Sequence, residues 1–129
     1  MTWASSDYVV PLDKIINVTT ELPNIMKKHD IDGGIVAHIG DGNIHVNILN
    51  THNQGPEEWA NTLHAYDDDI FALVYSLGGK MSGEHGIGYK KKEEFEKFTP
   101  EGELKLMRLL KKAWDPNNIM NPSKVIEVE

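Results

Sequence analysis

The stretch HIGDGNIH, His38 to His45, constrains this chain more than any other segment. Asp-Gly between apolar runs is among the strongest short-range hairpin signals, because a type I′ turn demands positive φ at both central residues. Placing Asp41-Gly42 at the tip and pairing outward sets Gly40 against Asn43, Ile39 against Ile44 and His38 against His45. The two histidines are seven positions apart, an odd spacing that would split them between the faces of one strand. A turn between them makes them a same-face pair, with Cβ atoms expected roughly 4.5–5.5 Å apart. Val36 and Asn47 share that face. Ile39/Ile44, Ala37/Val46 and Ile35/Ile48 form the other, an apolar set expected in the core.

Two imidazoles at that separation either share one divalent metal, with Zn–N near about 2.0–2.1 Å, or simply stack and bond to solvent. Spacing alone leaves both open. A second constellation, GGKMSGEHGIG, places five glycines in the eleven residues Gly78 to Gly88. That density predicts a backbone that turns sharply or passes close to a ligand. It matches neither the dinucleotide fingerprint nor the phosphate-binding loop. Glu84 within it could complete a His38/His45/Glu84 site with an open position, and His85 could accept a proton as general base. The competing reading is a glycine-rich surface turn with incidental charges. His29, His52 and His64 read as solvated or helix-surface residues. Asp67 to Asp69 fan out around a helix and read as a solvated face, and so do the lysines Lys90 to Lys92.

Along the chain, YVVP (Tyr8 to Pro11) reads as a short strand. A helical stripe follows through Leu12, Ile15, Ile16, Ile25 and Met26, where Pro23 is expected to kink or split the helix. PEEWANTLHAYDDDIFALVYSLGG predicts a long helix with Trp59, Leu63, Tyr66, Ile70, Val74 and Leu77 along one side. KKEEFEKF is a short charged helix. Thr99 is expected to cap a last helix with Pro100 at its first position and Leu104, Met107, Leu110 and Trp114 buried. The order predicts an α+β fold: an antiparallel sheet with a His-bearing hairpin, packed by helices, in a single domain over 1–129. With 40% hydrophobic and 26% charged residues, the chain is globular rather than disordered. A net charge of −7 argues against a nucleic-acid binder, and the absence of cysteine excludes thiolate metal sites. No apolar run approaches the roughly 20 residues of a membrane span, and the N-terminus lacks a signal pattern, so the expectation is a cytoplasmic protein.

Three motifs in order, HIGDGNIHVN, GGKMSGEHGIG and DPNNIMNPSKV, resemble the C-terminal signatures of the FAD-linked oxidases and dehydrogenases. This is the family of D-lactate dehydrogenase, the glycolate oxidase flavoprotein subunit and D-2-hydroxyglutarate dehydrogenase. DYVVPLDKI is similar to the strand that precedes the first helix there. The resemblance implies a partial ferredoxin-like cap domain of an enzyme that uses FAD to oxidise a D-2-hydroxy acid to the 2-oxo acid. It implies that His38, His45 and Glu84 hold a divalent metal, often zinc. It also implies that His85 is the base, that Asn47 lies near the substrate, and that Asn121 lies near the flavin. Ser123 stands where the family's NPGK has glycine.

The resemblance further implies that this sequence is the C-terminal part, with the FAD-binding domain absent, inactive alone, and leaving a sheet edge open to homodimerisation. A reading from another class is a stand-alone module that binds a metal or small acid and docks on a separate flavin-binding chain. A metal-dependent hydrolase using the same four residues is a third.

Overall fold

The chain makes three strands, with apolar and polar residues alternating cleanly in Asn43–Leu49, and where apolar residues recur three or four apart it makes helices. A computed structural model describes residues 2–128 and gives strands β1 (Trp3–Val9), β2 (Asp32–His38) and β3 (Asn43–Leu49). Helices are α1 (Ile15–Lys28), α2 (Pro56–Ser76), α3 (Lys92–Phe98) and α4 (Glu101–Trp114), and a 3₁₀ turn over Leu12–Lys14 leads into α1. The strands form one antiparallel sheet in the order β1-β3-β2. This is the α+β fold expected. Two compact units divide between His85 and Gly86.

In the first unit, β3 is central and its residues alternate cleanly. Ile44, Val46 and Ile48 are buried on one face, while Asn43, His45 and Asn47 share the other. The helices cover the apolar face. Tyr8 of β1 meets Phe71 of α2 edge-on at 5.8 Å, and Val18, Leu22 and Met26 of α1 are buried with Tyr66, Ile70 and Val74 of α2. The Tyr8 and Tyr66 hydroxyls bond each other at 3.1 Å inside this core, and burial pushes the pKa of both upward. Pro23 lies within α1, which runs through it unbroken rather than splitting; the buried side chains on either side hold the helix together.

The hairpin differs in register from the expected type I′ turn. His38 pairs with Asn43 and Val36 with His45, so Ile39 to Gly42 form a four-residue loop. Gly42 has φ +79°, but Asp41 does not share positive φ. The Asp41 N–H bonds the His38 carbonyl at 3.2 Å, and the Asp41 carboxylate accepts the Asn43 N–H at 3.0 Å. The cause is a distant contact. The Gly42 carbonyl accepts the Val10 N–H at 3.0 Å, and a Cβ on Gly42 would lie 2.0 Å from the Val10 carbonyl oxygen. Packing against the end of β1 therefore sets the turn. Ile39, expected in the core, is 72% exposed in this loop, and Ile35 is exposed because β2 is an edge strand.

In the second unit, α4 buries Leu104, but Leu110 and Trp114 are exposed, contrary to the stripe expected. Pro100 rather than Thr99 occupies the N-cap, with no side-chain capping bond. The tail folds back on the helices: Arg108 bonds the Glu127 carbonyl at 3.1 Å, and Glu96 accepts the Glu127 N–H at 2.8 Å.

Candidate metal centre

The sheet face opposite α1 and α2 carries the candidate site. His38 at the end of β2 and His45 on β3 are diagonal neighbours on that face, and their rings meet edge-on with centroids 5.1 Å apart. Opposition was the wrong expectation, but a shift of two residues preserves the face, and the pair still converges. After α2, Lys80 pairs with Val9 beside β1, at 2.8 and 3.0 Å. The glycine-rich segment then passes over the sheet and delivers Glu84 and His85. A Cβ on Gly83 would lie 2.4 Å from the side-chain amide oxygen of buried Asn43, so the bare backbone of glycine lets this segment pack directly on that amide.

Glu84 Oε1 lies 3.0 Å from His45 Nε2, and the His85 ring is 5.2 Å from that of His45. One donor atom each from His38, His45 and Glu84 lie within 4.8 Å of one another. Asn43, 5% exposed, places its amide nitrogen 3.3 Å from His45 Nε2. Asn47 is exposed two residues along β3, about 7 Å away at strand rise, on the same face. Asn121 belongs to the second unit and is exposed, with φ +48°.

The sequence reading missed Asp7. This carboxylate, fully buried on β1 directly opposite His45, accepts the N–H groups of Gly83, Glu84 and His85 at 2.8, 2.7 and 3.0 Å. The available signal was an acid set between buried neighbours in a strand, SDYVV, where only a paired carboxylate is tolerated. His29 was also misjudged. It is only 13% exposed in its side chain, sits 2.6 Å from Asp69 and meets the Tyr66 ring edge-on at 6.4 Å. Lys28 shares the same carboxylate oxygen, and these two donors, Lys28 first, hold the Asp69 carboxyl below its usual range.

The family model described as FAD linked oxidases, C-terminal domain, matches residues 1–125. The chain belongs to this family. Among curated relatives, a D-lactate dehydrogenase of Archaeoglobus fulgidus is 37% identical over 93% of this chain and 26% of its own length. A D-2-hydroxyglutarate dehydrogenase of Stutzerimonas stutzeri is 34% identical over 93% and 26%. A glycolate oxidase subunit of Bacillus subtilis is 37% identical over 92% and 25%. This FAD-linked oxidase domain thus spans about a quarter of the length of the curated relatives it matches. Ser123 of the domain adopts φ +58°, the left-handed region that favours the glycine of the NPGK pattern. No helix of the described residues is long and apolar enough to cross a membrane.

Proposed function

We propose that this chain is the substrate-side part of an FAD-dependent oxidoreductase that converts a D-2-hydroxy acid of the lactate, glycolate or 2-hydroxyglutarate class to its 2-oxo acid. It works with an FAD-binding domain, in the same chain or a separate one. The observation that carries the reading is the convergence of His38, His45 and Glu84 to within 4.8 Å. Donors around one tetrahedral ion at 2.0–2.2 Å stand roughly 3.4 Å apart, so this set fits a shared ion after small side-chain rotations. Two imidazoles and one carboxylate suit zinc, and three protein ligands leave a position open. Bound there, the ion would supply Lewis acidity toward the substrate hydroxyl. FAD would accept the hydride.

The remaining tasks fall to the chain's own groups. His85, with its Nε2 3.9 Å from Glu84 Oε1, is within reach of a hydroxyl held beside Glu84 and takes its proton as a neutral imidazole. Asn47, on the same strand face as His45, offers its amide to the acid's polar groups. Asn121 is assigned to the flavin side. Metal content of untagged protein tests the reading. About one equivalent of zinc in the wild type, lost in His38→Ala and Glu84→Ala but kept in His85→Ala, is the expected pattern. A folded wild type that takes up no metal from a zinc-loaded buffer would refute the centre.

A further inference from the structure

A carboxylate shut away from water has to be compensated by donors, and Asp7 has no exposed surface. Four donors reach it from outside its own sheet. Oδ2 accepts three successive N–H groups, Gly83, Glu84 and His85, and the Ser82 hydroxyl donates to the same carboxylate at 3.1–3.2 Å. Three consecutive N–H groups aim at one oxygen only if the segment curls into a concave anion nest around it. Glu84 and His85 project from that curl. Asp7 also faces His45 in the β1–β3 register, so one rung of the sheet carries a histidine donor and the anchor of the loop that meets it.

We infer that Asp7 is a positioning residue: it fixes the backbone from which Glu84 and His85 project, and so sets where they face the hairpin histidines. The inference rests on the reading of His38, His45 and Glu84 as a metal centre. Asp7 is not one of the three converging donors His38, His45 and Glu84. It acts through Glu84 and His85, as outer-shell groups orient first ligands. Replacing it with asparagine leaves the shape and removes the charge that strengthens all three N–H bonds.

The test combines zinc affinity with amide exchange in wild type, Asp7→Asn, Glu84→Ala and the double variant. Asp7→Asn is expected to weaken zinc about tenfold or more, in the range of outer-shell substitutions. In the Glu84→Ala background, which keeps no zinc through purification but whose weak residual His38/His45 affinity is read by zinc titration, the same change is expected to cost less than about twofold, because the loop no longer supplies a ligand. The amides of Gly83, Glu84 and His85 should lose protection while those of Ile44 and Val46 keep theirs. A merely structural Asp7 would lower affinity equally in both backgrounds, and that result overturns the inference. Retained protection at residues 83–85 overturns it as well. If the wild type binds no zinc, the metal reading fails by itself, and selective loss of protection at 83–85 still upholds Asp7 as the anchor of the loop. Should Asp7→Asn unprotect β3, Ser82→Ala removes one donor from the same carboxylate and is expected to show the same coupling to Glu84 in milder form.

Discussion

Gly42 shows how much one residue decides. Its positive φ and the Val10 carbonyl oxygen, 2.0 Å from where a Cβ would stand, leave no room for a side chain, and the obstacle is backbone that cannot rotate away. Gly40, two residues earlier in the same loop, has nothing within 4 Å of its Cβ position. Gly42→Ala is therefore expected to destabilise the protein by about 2 kcal/mol or more. Gly40→Ala should stay within roughly 0.5 kcal/mol of wild type. Denaturant midpoints for the pair check this, and equal effects would mean that the turn is not held against β1. Residues of this kind explain what was legible in the sequence. The side-chain parity of His38, His45 and Asn47 is local, so their shared face could be read from spacing. The register depends on Val10, and Asp7 depends on a loop more than seventy residues away. No local pattern encodes either.

At the level of elements, the same division holds. α2 was legible almost to its ends, because Trp59, Tyr66, Ile70 and Val74 repeat at helical spacing and all are buried. α4 has an equally regular stripe, yet Leu104 is inward and Leu110 and Trp114 are not; periodicity names an apolar face without naming what covers it. The end of α4 carries a pH dependence. Asp115 accepts the N–H groups of Ile119 and Met120 at 3.0 and 2.8 Å and is bonded by Lys111. These partners, Lys111 foremost, hold its carboxyl at about 2 in the folded chain. The folded value lies below the unfolded one, so the carboxylate stabilises the turn above about pH 4, and this contribution is lost as the pH falls toward 2. Amide shifts of Ile119 and Met120 followed through an acid titration should move together in that window. In Asp115→Asn that joint transition should vanish; its persistence would rule out Asp115 as the titrating group.

For the molecule as a whole, the open surfaces are informative. Leu106, Leu109, Leu110 and Trp114 on α4 are each more than half exposed, and β2 leaves Val36 60% exposed on an open edge. Apolar area gathered on one helix marks a surface that associates. The native protein is expected to bind a hydrophobic dye and to self-associate as its concentration rises. Leu106→Lys with Leu110→Lys should cut the dye signal several-fold without altering the far-ultraviolet dichroism. An unchanged signal would direct attention to the β2 edge instead.

The bonds between Asp7 and residues 82–85 join positions 75 to 78 apart, nearly the whole length of the first unit. Contacts of such separation carry a loop-closure cost that local structure cannot offset, and they form late. A chain with its hairpin made and β1 still unpaired would own both histidines but have no Glu84 to meet them. On the proposed reading of His38, His45 and Glu84 as ligands, completion of the fold and completion of the donor set would coincide. An intermediate lacking these contacts would offer ions only the two histidines of the proposed centre.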